Sequence, residues 1–233
     1  MEGRAGKGVR LRAGVSLIEI AVVIAVVGVL AAIAVPNINE WSRHQRLRGA
    51  ARDVGDLLVL ARSDAIRTGR RQIVFFGRPG ATDPGGGAIQ SDGSWVPVLW
   101  TDDGVSTASN CKIEAGERRE VVAPVDGVSW GVTVATGRVP TDGGYGPWNP
   151  ASWDGGTFGS AVGIGVHWVM FGPDGVPVTF NGGGGACGVV GGLGSGGGGF
   201  YLTDGERDYA VVVSPIGSVR LHHWDPGAHA WSS

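Results

Sequence analysis

The chain has 233 residues, of which 44 are glycine, about 19% where an ordinary domain carries about 7%. Its 19 basic and 21 acidic residues give a formal net charge of −2, and charged residues make up only 17% beside 42% hydrophobic ones. That balance excludes a wholly disordered chain, aperiodic glycines with only 12 prolines exclude collagen, and near-neutral charge leaves no global footprint of a nucleic-acid binder. The length suits one domain, or one domain with an appendage.

Residues 1–14 form a basic, glycine-containing leader with Arg4, Lys7, Arg10 and Arg12 against Glu2. An apolar run follows to Val35, and between Val15 and Asn39 the only charge is Glu19. As a helix that span reaches about 37 Å, enough for a hydrocarbon core of about 30 Å, and Pro36 is expected to end or kink it. On residue types alone three readings stay open. One is a cleaved secretory signal with Ala32-Ile33-Ala34 as the small-residue cleavage site. Another is a plain transmembrane anchor. The third must account for Glu19, because a carboxylate deep in a bilayer costs about 2.5–3.5 kcal/mol unless something neutralises it. Flanking charge does not set orientation, since Arg43, Arg46, Arg48 and Arg52 match the four cations of the leader.

Gly14-Val15-Ser16-Leu17-Ile18-Glu19 resembles the prepilin peptidase site of type IV pilins and pseudopilins. The resemblance implies cleavage between Gly14 and Val15 and methylation of the new amino group on Val15. It implies retention of the apolar helix (residues 15–41), and pairing of Glu19 with the terminal amine of a neighbouring subunit in a helical filament. Val15 departs from the family, which most often has Phe there; Pro36 falls where many members carry a helix-kinking proline. Losing the leader's four cations and one anion takes the formal charge from −2 to −5, before the new terminus is considered.

From residue 42 to 70 the pattern stays helical. Leu47, Ala50, Ala51, Val54, Leu57, Leu58, Ala61 and Ala65 recur at three- and four-residue intervals and define one apolar face. Gly69 is placed to cap the C-terminus, so a helix from about Val15 to Thr68 would run roughly 80 Å. Ala61-Arg62-Ser63-Asp64-Ala65 before Gln72–Phe76 resembles the GspH/FimT branch of the same superfamily, which includes minor pseudopilins of type II secretion and minor pilins of type IV pili. The arginines on this helix read first as a solvated face, with nucleic-acid contact as the competing role.

From Arg71 to Ser233 the chain reads as a β-rich head. Candidate strands are Gln72–Phe76, Trp95–Trp100, Glu120–Ala123, Val128–Ala135, Val162–Phe171, Val176–Phe180, Gly199–Leu202, Ala210–Ser214 and Val219–His223. Alternation is best at Val162, Ile164, Val166, Trp168 and Met170. With no second helix, the pattern predicts an α+β chain: one long N-terminal helix packed on an antiparallel, β-sandwich-like head. Two segments read as loops. Residues 140–159 carry turn chemistry around Tyr145, Trp148 and Trp153. Residues 182–199 hold 12 glycines in 18 positions, which predicts a flexible surface loop. Cys111 and Cys187 are the only cysteines and form a candidate disulfide in an exported head.

Motifs for chemistry fail on context. Gly127-Val128-Ser129-Trp130-Gly131 matches a nucleophile elbow, but more strand rather than a helix follows it. Gly192, Gly194 and Gly197 match a dinucleotide fingerprint with no βαβ unit around them. Adjacent His222 and His223 should point to opposite faces of a strand, poor geometry for one metal. The expectation is therefore a non-enzymatic subunit with no cofactor or metal.

The resemblance implies a minor pilin or pseudopilin anchored by a single pass in the bacterial inner membrane, its head in the periplasm. Its partners would be other pilins, prepilin peptidase and an inner-membrane assembly platform, and the subunit would prime or cap a filament. Some FimT-like relatives bind DNA through a Gly-Arg-x-Arg motif near the C-terminus. Here Gly217-Ser218-Val219-Arg220 retains Arg220 alone, which with an acidic mature chain argues against nucleic acid.

Overall fold

The computed structural model describes residues 16–76, 97–102, 111, 117–122, 125–145, 155–161, 165–181 and 187–233, giving backbone alone at 33–37, 97, 98 and 100–102. The chain divides into two compact units, Met1–Ser42 and Arg43–Ser233. A single α-helix, α1 (Leu17–Thr68), supplies the described part of the first and the opening of the second. It continues through Pro36 instead of stopping there. The proline removes one intrahelical hydrogen bond at a cost of about 3 kcal/mol, and the helix nevertheless runs on to Thr68.

Within the second unit, all eight positions of the predicted apolar face are buried, from Leu47 to Ala65. Gly69 takes the left-handed conformation (φ 66°) just past the last turn, as a C-terminal cap requires. The Thr68 hydroxyl donates to the Asp64 carbonyl at 2.6 Å and closes that turn.

Among the described residues ten strands follow, in two antiparallel sheets. One has the order β3-β2-β1-β5-β6, from β1 (Arg71–Phe76), β2 (Pro97–Asp102), β3 (Arg119–Val121), β5 (Trp168–Phe171) and β6 (Pro177–Val178). The other has the order β10-β9-β8-β7-β4. It comprises β4 (Ser129–Trp130), β7 (Gly198–Thr203), β8 (Asp208–Val213), β9 (Val219–Asp225) and β10 (Ala230–Ser232). The α+β class and the antiparallel head are thus as the pattern predicts.

Strand periodicity explains how the core is divided. Val74 and Phe76 of β1 join Val169 and Phe171 of β5, Phe200 and Leu202 of β7, Val211 and Val213 of β8, and the apolar face of α1 in one cluster. Their neighbours Ile73, Phe75 and Met170 point the other way, into a second cluster with Phe180 and the Cys111–Cys187 disulfide, whose Cα atoms lie 4.8 Å apart. The central strands of the first sheet are therefore buried on both faces, as an unbroken apolar run such as residues 73–76 suggests. Phe158 and Phe200 stack at 4.4 Å, and Phe76 meets Trp130 edge-on at 5.8 Å, linking the two sheets.

Several expectations need correction. Of the strand predicted over 128–135, only Ser129–Trp130 forms. The backbone N–H groups of Thr133, Val134 and Ala135 turn instead to the buried Asp208 carboxylate, at 2.9, 2.7 and 2.6 Å. In 162–171, residues 162–164 lie outside the described residues and β5 begins only at Trp168. Both faces of that strand are buried, so its alternation does not mark a solvent side.

The predicted loop at 182–199 ends before β7, and the one at 140–159 has no strand among its described residues but is tied to the head by hydrogen bonds. At 140–159, residues 146–154 lie outside the description, yet Thr157 donates its N–H to Gly199 O at 3.0 Å and Gly155 O accepts from Tyr201 N at 2.9 Å. At 182–199, residues 182–186 lie outside the description; Gly188–Val190, Gly192, Leu193 and Ser195 are exposed as a surface loop would be, while the last four residues pack into the head. Gly198 and Gly199 belong to β7, and Gly196–Gly199 are buried. A Cβ on Gly196 would fall 2.6 Å from the Val178 amide nitrogen, and one on Gly198 2.8 Å from the Phe158 ring. Glycine here permits close packing, where composition suggested only backbone freedom.

Candidate assembly surface

Gly14 and Val15 lie outside the described residues, which begin at Ser16. Ser16 opens the helix: its carbonyl accepts from the N–H groups of Glu19 at 3.0 Å and Ile20 at 3.2 Å. Ser16-Leu17-Ile18-Glu19 has the residue spacing of a capping box, and Glu19 sits in the first turn. A negative charge there is favoured by the unpaired N–H groups and dipole of the helix start. Glu19 is exposed and makes no ion pair among the described residues.

Around Glu19 the helix surface is apolar. Leu17 is 86% exposed, Ile24 66% and Leu30 60%, and every described side chain from residue 16 to 32 is exposed. A contiguous apolar surface of this size is rare on a monomeric soluble protein. Among the described residues no helix is long and apolar enough to cross a membrane; the described apolar side chains run only to Ala32, and those of residues 33–37, Pro36 included, lie outside the description.

The second part of α1 carries polar groups with defined jobs. Arg62 is half-buried, and its Nε donates to the Gly175 carbonyl at 3.2 Å. Gly217, with φ 80°, lies against the same guanidinium and the same carbonyl. One helix residue thus anchors both the β5–β6 and β8–β9 turns. Asp64 is buried and receives Arg67 at 2.9 Å and Arg118 at 3.2 Å. The expectation that the arginines of this helix form a solvated face is therefore corrected at Arg62, which the two turns half cover. Arg43 pairs with Glu206 at 3.2 Å.

At the other end of the chain, Ser218 shares its hydroxyl with Ser214 at 2.7 Å and accepts no cationic role from its place in the motif. Arg220 is exposed on β9 with no ion pair among the described residues. His222 is buried and His223 exposed, on opposite faces of the strand. Burial, with help from Arg220 and His223, holds the His222 imidazole below the usual histidine range. Among the described residues no three His, Cys, Asp or Glu side chains converge on a metal position. Ser129 is exposed, and Gly131 after it sits at φ 114° with no helix following.

Sequence reasoning missed two polar centres. Asp208 caps three successive N–H groups, and Asp142 accepts from the Tyr201 phenol at 2.7 Å and the Thr157 hydroxyl at 2.9 Å. Burial and the Asp142 charge push the Tyr201 phenol well above the ordinary tyrosine range. The partners of Asp208 lie 73 to 75 residues away, and beyond the neighbouring Gly144 N–H those of Asp142 lie 15 and 59 residues away, so no short motif announces either centre. Compared with protein-family models, curated proteins and solved structures, the chain matches none.

Proposed function

We propose that the protein is a minor pilin or pseudopilin subunit that assembles through its N-terminal helix. The observation carrying this reading is the sequence Gly14-Val15-Ser16-Leu17-Ile18-Glu19, which runs into the first turn of a helix whose described side chains to Ala32 are exposed and whose only charge before Asn39 is Glu19. An exposed apolar helix needs a cover, and lipid followed by neighbouring copies of the same helix provides one. In a low-dielectric helix bundle, the Glu19 carboxylate requires a cation. The amino terminus created at Val15 lies four residues before it in the sequence, and that of a neighbouring subunit would supply the cation. The head does no catalysis in this account; it presents a surface to partner subunits. Its disulfide suits the periplasm, where thiols are oxidised.

The test is co-expression with a prepilin peptidase and an assembly platform, followed by mass spectrometry. The expected mature N-terminus is N-methylated Val15. A mature terminus at Val35, or an intact residue 1, refutes the reading. Glu19→Ala is expected to be processed normally yet to be lost from sheared filaments; full incorporation of that variant refutes the pairing role.

A further inference from the structure

A cleft of about 440 Å³ opens on the head where residues 143–145, 159–161 and 191–197 meet beside Thr179. Six of its eleven lining residues are glycine, and none carries a charged side chain. Tyr145 stands at its edge with the side chain half exposed.

The tyrosine is held as a platform. Its ring root lies against Gly159, where a Cβ would come within 2.6 Å of the Tyr145 Cβ and 3.2 Å of its Cγ, so only glycine admits it. The backbone beneath is pinned from both sides. Tyr145 N donates to Thr157 O at 2.6 Å, Gly144 N donates to Asp142 at 2.8 Å, and the Arg138 guanidinium donates to Gly144 O at 2.7 Å. Elsewhere in the lining, the hydroxyls of Thr179 and Ser195 lie 3.2 Å apart. Ser195 Oγ also accepts from Thr179 N at 3.1 Å, and a hydroxyl that can donate once and accept twice keeps capacity beyond these contacts.

Two lining glycines answer to no demand of the fold. Gly143 and Gly192 have ordinary φ values, and a Cβ on either would meet nothing within 4 Å. At these positions the lack of a side chain serves the open space itself.

The chemistry of the lining selects the occupant. Among the described residues the lining carries no cationic side chain for a phosphate or carboxylate, the nearby Arg138 guanidinium being engaged by the Gly144 carbonyl, and no histidine, cysteine or acid to hold a metal. An extended peptide would need a free strand edge. The backbone here is already paired, Gly191 N to Thr179 O at 2.8 Å and Phe180 with Val190. A ligand with an apolar ring face for the tyrosine and hydroxyls for Thr179 and Ser195 satisfies what remains. The volume lies in the range of about 300–1,000 Å³ seen for small-molecule sites. We propose that this cleft binds a neutral saccharide, stacked on Tyr145 and hydrogen-bonded by the Thr179–Ser195 pair.

The full chain would be purified in dodecylphosphocholine, whose headgroup is not a sugar, and titrated with maltotriose, cellotriose and tri-N-acetylchitotriose while ligand NMR signals are followed by saturation transfer. At least one trisaccharide is expected to bind. Tyr145→Ala and Gly192→Val are each expected to weaken it at least about tenfold while the thermal midpoint stays that of the parent; Gly143→Val replaces Gly192→Val should that variant melt early. The proposal is overturned by no binding of any of the three at the solubility limit. It is equally overturned by a neutral peptide or a polyuronate binding more tightly than the sugars, or by variants that bind like the parent. None of these outcomes bears on processing at Gly14, so this inference and the assembly role fail separately.

Discussion

Replacing Asp208 by alanine should destabilise the head by about 3–5 kcal/mol. Its carboxylate is buried at 1% exposure and accepts from Thr133 N at 2.9 and 3.1 Å, Val134 N at 2.7 Å and Ala135 N at 2.6 Å. Thr133 is exposed and its N–H can turn to water, whereas Ala135 is buried and its N–H cannot. A hydrogen bond to a charged group contributes about 1.5–3 kcal/mol, and an orphaned buried donor costs about 1–3 kcal/mol. Counting Val134 as the first kind and Ala135 as the second gives about 2.5–6 kcal/mol, whose middle is the stated range. At about 2–4 °C per kcal/mol for a chain of this size, the thermal midpoint should fall by roughly 10 °C. Asp208→Asn keeps one acceptor oxygen and should lose about half as much. Thermal unfolding followed by near-ultraviolet circular dichroism measures both, and amide exchange at Ala135 reports the same bond directly. A loss below about 1 kcal/mol for Asp208→Ala, with Ala135 still protected, would refute the claim that this carboxylate replaces strand pairing at 133–135.

Two further outcomes concern the rest of the head. The Cys111–Cys187 bridge spans 76 residues and covers Ile73, Phe75 and Met170; the chain-entropy account assigns a closure of that length about 4 kcal/mol. Thiol titration in denaturant should find no free thiol before reduction and two after it, and dithiothreitol should lower the thermal midpoint measurably. His44 and His222 are both held below the usual histidine pKa of 6.5, by burial first and then by arginines, Arg207 and Arg48 for His44 and Arg220 for His222. The unfolded chain therefore binds protons at these sites more readily than the folded one. Stability from this source is complete above pH 6.5 and falls as the pH drops below it. Denaturant titrations at pH 7.5 and pH 5 should show that loss, and His222→Gln should flatten it.

The local elements were legible where a single period dominates. Leu47 through Ala65 announce a helix face because a 3.6-residue repeat admits one buried stripe, and Gly69 ends it for a backbone reason visible in isolation. Strand β1 was legible as a short apolar run bounded by Arg70 and Gly77. Strand β10 was not: Ala230–Ser232 is three residues long, too short for an alternation, and it exists because Trp231 pairs with Trp224 and donates its indole N–H to Gly137 O at 2.7 Å. Arg62 misled for a similar reason. Its spacing places it beside the apolar stripe, and only the turns at Gly175 and Gly217 decide that it is covered.

Glycine marks the same division. In sequence the 44 glycines read as backbone freedom, because composition records only the entropy a residue must lose. The sequence by itself determined the helix and its apolar stripe, the uncharged N-terminal run with its lone Glu19, and the β-rich character of the head, since each depends on neighbours within a few residues. Tertiary structure decided what the glycines are for. Gly196 and Gly198 admit Val178 and Phe158 against the backbone, Gly159 admits the Tyr145 ring, and Gly175 and Gly217 admit Arg62. It also chose Asp208 and Asp142 as polar centres. Those roles depend on atoms brought together from positions far apart in the chain, and no local period encodes which atoms will meet.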